Sequence, residues 1–175
     1  MTDANRYYNE AARLAMDEIN RGTANLDTYA ALTWTLQRQQ KYADVISRGA
    51  AGLRLGVDYR IIETMGEAYF YLPNWEESLR YMQRYVNALP QGDRAPVAYF
   101  FIGEMYRLQE KYLHADIAYT TALRLDPSPA LWWYRLGSVR EAAGDHAPAI
   151  EAYERALRLN PSYAEAQAGL NRLRD

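Results

Sequence analysis

Small and apolar residues recur along this chain with a period of 34 residues. The stretch ALWWYRLGSVREAAGDHAPAIEAYERALRLNPSY (130–163) matches PVAYFFIGEMYRLQEKYLHADIAYTTALRLDPSP (96–129) position by position. Within each stretch the apolar positions follow the spacing of two amphipathic helices. A fixed period of this length predicts a repeat architecture in which each unit is one pair of helices.

Glycines inside the first helix of each unit indicate close helix packing. Gly103 and Gly137 occupy equivalent positions, and glycine in a helix costs about 1 kcal/mol relative to alanine. Their recurrence therefore predicts that the second helix approaches closely at this point, with Ala115 and Ala149 opposite. A proline after each second helix ends it, because proline cannot donate a helical hydrogen bond.

The same frame extends over the rest of the chain. It divides the sequence into an N-terminal capping half-repeat, four repeats and a C-terminal capping helix: 1–25, 26–58, 59–92, 96–129, 130–163 and 164–175. Repeat 26–58 departs most from the pattern, with Thr33 where the later units have glycine and Val57 where they have proline. Capping elements are expected because a stacked end unit otherwise exposes an apolar face.

The pattern resembles the tetratricopeptide repeat, a helix–turn–helix module. The resemblance is most specific over residues 96–163 and weakest over 26–58. It implies an all-α fold: a right-handed α-solenoid of stacked antiparallel helix pairs, forming a single domain over residues 1–175. It also implies a role in binding another protein or peptide.

Composition excludes several classes of partner. The formal net charge is −2 and the pI is near 5.8, so no basic field favours nucleic acid or an anionic membrane. No apolar run reaches the roughly 18 residues of a membrane span, and no leader pattern opens the sequence. We expect a soluble, cytoplasmic protein, although a leader or anchor removed from the chain would leave the same pattern.

No constellation in the sequence predicts catalysis. His114 and His146 are the only histidines and there is no cysteine, which is too few ligands for a metal site. The glycines are explained by helix packing and helix ends rather than by a phosphate-binding loop. We therefore expect no cofactor, no metal and no enzymatic activity.

The resemblance implies a concave groove lined by the first helices, where a peptide or helical segment binds. Helical spacing selects the first-helix residues that lie off the core stripe. From these we predict a binding site formed by Trp34, Arg38, Arg60, Glu63, Glu67, Phe70, Tyr71, Phe100, Glu104, Arg107 and Tyr134. Aromatic and arginine residues are typical interface hot spots, and the charges would orient the ligand. The alternative is that some of these rings lean into the core between repeats.

One ligand class is rejected by the sequence. Some tetratricopeptide repeat domains bind the acidic C-terminus of heat-shock chaperones through a two-carboxylate clamp of lysines, asparagines and an arginine. At the matching places this chain has Ala30, Trp34, Thr64, Val97 and Phe101. None of these residue types can form the clamp.

Three functional classes remain open. The first is an interaction module acting as an adaptor, scaffold or assembly factor. The second is a chaperone resembling the small tetratricopeptide repeat chaperones of bacterial secretion systems. The third is a self-associating structural protein, in which a second copy covers Leu14, Ala15 and Ile19 of the N-terminal helix by a two-fold contact.

Overall fold

The structure of the chain, a computed structural model, describes residues 3–174 with the exception of the Ala4 side chain. Within that range it consists of ten α-helices joined by short turns, without strands. The helices are α1 Asp3–Arg21, α2 Leu26–Arg38, α3 Tyr42–Leu53, α4 Tyr59–Tyr71, α5 Trp75–Ala88, α6 Ala95–Leu108, α7 Tyr112–Leu125, α8 Ala130–Ala142, α9 His146–Leu159 and α10 Ala164–Arg174.

These helices form two compact units, Met1–Ala88 and Leu89–Asp175. In the first unit α2 packs on α3 and α4 on α5, while α1 packs against α2. In the second unit α6 packs on α7 and α8 on α9, while α10 packs against α9. Each unit therefore contains two helix hairpins and one additional helix.

The core of the first unit accommodates the most divergent repeat. Thr33 is fully buried, and its hydroxyl donates to the carbonyl oxygens of Tyr29 and Ala30 in its own helix. The polar group is thus satisfied without a partner from another helix. Around it, Leu32, Leu36, Val45, Ile61 and Met65 are buried in one cluster.

The core of the second unit is built on two tyrosines, Tyr119 and Tyr153. A Cβ atom at Gly103 would lie 2.5 Å from the ring of Tyr119, and one at Gly137 would lie 2.7 Å from Tyr153. Both tyrosines are fully buried. The glycines therefore face aromatic rings, and not primarily the alanines we expected.

Side-chain hydrogen bonds stabilise the residues at the start of several helices. Asn25 and Thr28 form a reciprocal capping box at the start of α2. Before α8, the backbone N–H of Ser128 donates to Asp126 Oδ1 at 3.0 Å, and Ser162 repeats this contact with Asn160 before α10. Such turns fix the direction in which each new helix leaves the preceding hairpin.

Candidate functional site

The predicted binding residues fall in both units. Seven lie at or near the first helices α2 and α4 of the first unit, and four lie on α6 and α8 of the second. We refer to Trp34, Arg38, Phe70 and Tyr71 as the α2–α4 face, and to Phe100, Glu104, Arg107 and Tyr134 as the α6–α8 face.

On α2, an indole and a guanidinium form an exposed pair. The Trp34 side chain is 50% exposed, and the guanidinium carbon of Arg38 lies 5.5 Å from the centre of its ring system. The Tyr8 ring meets Trp34 edge to face at 5.8 Å. Trp34 is therefore in contact with α1 through Tyr8, and a cation lies over its ring.

The end of α4 adds a second aromatic group. Tyr71 is 48% exposed and stacks on Tyr42 with ring centres 4.8 Å apart and an interplanar angle of 14°. Burial raises the pKa of the Tyr71 hydroxyl, the charge of Glu67 raises it further, and the charge of Arg38 opposes the increase. The Arg38 charge thus reaches Tyr71 as well as Trp34.

Arg60 is committed to carboxylates of its own unit. Its guanidinium lies 2.6 Å from both Asp27 and Asp58. Asp58 also caps α4 by accepting from the backbone N–H of Arg60 at 2.8 Å. Burial alone would raise the pKa of Asp58, but the hydrogen bonds from Arg60 outweigh it and lower that pKa. Arg60 therefore stabilises the start of α4.

Two of the residues predicted for the binding site are buried. Glu63 and Glu104 are each only 4% exposed. A position at the edge of the core stripe turns inward when the neighbouring helix lies over it. Neither carboxylate is open to a ligand in this structure.

Glu104 is the centre of a buried network in the second unit. Its carboxylate lies 3.0 Å from Arg107 and 3.1 Å from Arg135 of the next repeat. It also accepts a hydrogen bond from the Tyr119 hydroxyl. Burial, followed by the Glu104 charge, raises the pKa of Tyr119. The predicted binding residue Arg107 is thus already paired with a carboxylate on its own helix.

The aromatic rings of the α6–α8 face are partly internal. Phe100 stacks on the buried Trp132 at 5.1 Å with an interplanar angle of 14°. Tyr134 lies 5.1 Å from Tyr163 and 6.0 Å from Tyr153. Phe100 therefore leans into the core between repeats, which is the alternative given above for these rings. Sequence reasoning did not identify Trp132 as its buried partner, although the Trp-Trp pair at this place was the available signal.

Neither metal chemistry nor membrane insertion has support in the residues described. Within residues 3–174 no three His, Cys, Asp or Glu side chains are placed to hold a metal ion. In the same range no helix is long and apolar enough to cross a membrane.

Family models of the tetratricopeptide repeat match two stretches of the chain. One matches residues 130–163 and another matches residues 96–129. Both stretches lie in the second unit and contain the hairpins α8–α9 and α6–α7.

Curated relatives align with part of their own length only. The peroxisomal targeting signal receptor of Kluyveromyces lactis is 34% identical over 91 residues, which is 52% of this chain and 16% of the receptor. The human protein O-mannosyl-transferase TMTC1 is 24% identical over 160 residues, which is 91% of this chain and 18% of that protein. The aligned stretch is therefore less than a fifth of the length of either relative.

A solved structure shares the fold over nearly the whole chain. It is that of YrrB, described as a TPR protein with an unusual peptide-binding site. The likeness has a TM-score of 0.78 at 16% identity and covers 95% of this chain and 84% of YrrB. The all-α tetratricopeptide repeat solenoid expected from the sequence is thereby confirmed.

Proposed function

We propose that this chain, which is a tetratricopeptide repeat protein, is a non-enzymatic interaction module that binds a segment of another protein through its first helices. The observation that carries this proposal is the α2–α4 face, where Trp34 is 50% exposed and Tyr71 is 48% exposed. Exposed aromatic residues grouped with an arginine have the composition of interface hot spots. The peptide-binding site attributed to YrrB supports the same type of ligand for this fold.

The ligand segment would be a short peptide or one face of a helix. The rings of Trp34 and Tyr71 are held by Tyr8 and Tyr42, so they lose little conformational freedom on binding. Such a surface suits apolar anchors spaced along an extended or helical segment. An adaptor, a scaffold, an assembly factor or a client-binding chaperone would all use it in this way.

The experiment compares capture of partners by variants of the full chain. Affinity purification with mass spectrometry from the native source identifies proteins retained by the unaltered chain, and Trp34→Ala should reduce the specific partner at least tenfold. The matched control is Trp75→Ala, because Trp75 is 39% exposed but lies at the start of the second helix α5. The proposal is contradicted if both variants lose the partner equally or if neither variant loses it, provided that the far-UV circular dichroism spectra are unchanged.

A second proposal, self-association through α1, is supported by exposed apolar residues on that helix. Tyr7 is 65% exposed and Leu14 is 51% exposed. They lie seven residues apart and so share one helix face. Ala15, which we expected to be partly uncovered, is only 7% exposed because it packs in the core. Light scattering should show a dimer that becomes a monomer on Leu14→Gln and is unchanged by Leu113→Gln, a substitution of a leucine on α7 that is even more exposed, at 71%.

A further inference from the structure

Arginines on the first helices differ in what they contact. The helices α2, α4, α6 and α8 contain five arginines: Arg38, Arg60, Arg107, Arg135 and Arg140. Four of them lie within ion-pair distance of a carboxylate, on Asp27 and Asp58, on Glu104, or on Asp116. Arg38 contacts the indole of Trp34 instead. Across the described range 3–174 it is the one of the five that has no ion pair.

The guanidinium of Arg38 is both unpaired and oriented. The guanidinium carbon of Arg38 lies over the Trp34 ring at 5.5 Å, and this cation–π contact uses none of the N–H donors, from which a carboxylate can accept two parallel hydrogen bonds. A long side chain without such support would lose rotamer freedom on binding. The contact with the indole already restricts the Arg38 side chain, so Arg38 loses less rotamer freedom on binding.

Apolar surface surrounds the cation on this face. The exposed half of Trp34, supported by the edge of Tyr8, lies on one side. The charge of Arg38 opposes the rise in the pKa of the Tyr71 hydroxyl, and the Tyr71 ring stacks on Tyr42. A ligand that places a carboxylate on Arg38 therefore brings the neighbouring side chain onto aromatic rings.

The charge of the chain favours a ligand with few negative groups. The formal net charge is −2. A polyanion would meet this negative charge without the basic stripe that nucleic-acid-binding proteins use. A single carboxylate next to an uncharged side chain avoids the repulsion.

We propose that Arg38 and Trp34 together bind a peptide segment in which an aspartate or glutamate directly precedes an aromatic or large apolar residue. The carboxylate pairs with the guanidinium of Arg38, and the adjacent ring packs on Trp34. This inference rests on the proposed function, since it names the ligand chemistry of the α2–α4 face.

The test uses a matched pair of synthetic peptides and the full chain labelled with nitrogen-15. Acetyl-Ala-Glu-Phe-Ala-amide and the same peptide with glutamine are titrated while the indole N–H resonance of Trp34 is followed by NMR. The glutamate peptide should bind at least five times more tightly, and the preference should weaken at high salt because exposed charges are screened. The indole resonance of Trp75 should not move.

Two variants isolate the role of the cation. Arg38→Gln should abolish the preference for glutamate, so that both peptides bind alike. Arg84→Gln, which removes an exposed arginine of α5 that has no ion pair in the described part of the molecule, should leave the preference intact. Both variants are expected to fold, since neither side chain is buried.

Several results would overturn the inference. They are equal binding of the two peptides to the unaltered chain, no shift of Trp34 with either peptide, or a preference that survives Arg38→Gln. A larger shift with an oligothymidylate of eight nucleotides would make the surface a nucleic-acid site. If partner capture depends on Trp34 but not on Arg38, the proposed function stands and the carboxylate preference alone is wrong.

Discussion

The glycine at the centre of the first helix is packed differently in the two units. In repeat 59–92, a Cβ atom at Gly66 would lie 3.2 Å from atoms of the Met82 side chain. In repeat 96–129, a Cβ at Gly103 would lie 2.5 Å from the ring of Tyr119. Met82 and Tyr119 occupy corresponding places on the second helix. Methionine is flexible and can move aside, whereas an aromatic ring in a packed core cannot.

Whether this position of the second helix is methionine or tyrosine also determines which polar groups surround it. A buried tyrosine needs a partner for its hydroxyl, and Tyr119 donates to the carboxylate of Glu104. A buried carboxylate in turn needs positive charge, which Arg107 and Arg135 supply. Met82 carries no such requirement. The second unit thus uses two first-helix arginines for its own stability, while Arg38 of the first unit contacts an indole and has no ion pair among the residues described.

The largest effect is expected from breaking the Glu104 network. Glu104→Ala removes the partner of two partly buried arginines and of the Tyr119 hydroxyl. It should lower the free energy of unfolding of the second unit by about 3 kcal/mol. Hydrogen exchange of the amides in α6–α9 measures this locally. Glu104→Gln, which keeps an acceptor for Tyr119, should cost less, and equal protection in the alanine variant would refute the role of the network.

Alanine substitutions at the two glycines test the packing difference directly. Gly103→Ala should destabilise the second unit by about 2 kcal/mol, because the added methyl group overpacks against a ring held by its hydroxyl. Gly66→Ala should change the stability of the first unit by less than about 1 kcal/mol, since the gain in helix propensity offsets a small shift of Met82. Urea titrations of both variants provide the comparison. Similar losses at the two positions would show that the difference between methionine and tyrosine is unimportant.

Alkaline pH should weaken the second unit through its tyrosines. Burial and the adjacent carboxylate raise the pKa of Tyr119 in the folded state, and burial with Glu141 does the same for Tyr153. The unfolded chain therefore releases these protons first. The stabilisation is complete below about pH 10 and is lost as the pH rises above it, by about 1 kcal/mol at pH 11 for Tyr119.

The Tyr153 contribution should be smaller, since its acceptor Glu141 is 22% exposed. Unfolding measured at pH 8 and pH 11 tests both. Tyr119→Phe should lower stability at pH 8 by about 1 kcal/mol and make the loss between the two pH values smaller. Tyr7→Phe, at an exposed tyrosine of α1, is the control and should leave the pH dependence as it is. If Tyr119→Phe loses as much stability between pH 8 and pH 11 as the unaltered chain, Tyr119 is not the source of the pH dependence.

The smallest effect on stability is expected at Arg38. Arg38→Gln removes an exposed cation–π contact, worth about 0.5 kcal/mol at such a site. Thermal unfolding should therefore be nearly unchanged, while binding of the glutamate peptide weakens at least fivefold. A substantial loss of stability would mean that Arg38 is a structural residue, like Arg107 and Arg135.

The sequence predicted which segments are helices because glycine, proline and the apolar period act locally. It did not predict whether a residue at the edge of the apolar stripe of a first helix is buried or exposed. Glu104 and Ser138 occupy equivalent places, yet the acceptor for the second tyrosine is Glu141, about one turn further along the helix. Which residue becomes the acceptor depends on the direction of the tyrosine hydroxyl, which the spacing of residues does not encode.

Exposure of the aromatic residues could be predicted only in part for a related reason. Trp34 was predicted as a binding residue, and half of its side chain is exposed. Phe100 was expected in the same class of position, but Trp132 of the next repeat stacks on it. Whether such a ring is exposed depends on the size of the residue that faces it from the next repeat. The apolar period within one repeat does not reveal that size.

The position of Glu104 has a consequence for how the second unit opens. In a stacked array, stability is a sum of terms within repeats and terms between neighbours. Glu104 contributes to both, since it pairs with Arg107 inside its own repeat and with Arg135 in the next. Detaching the α8–α9 hairpin would leave a buried carboxylate with half of its positive partners. The coupling energy between these repeats is therefore large, and the two hairpins are expected to unfold in one cooperative step rather than fray in sequence.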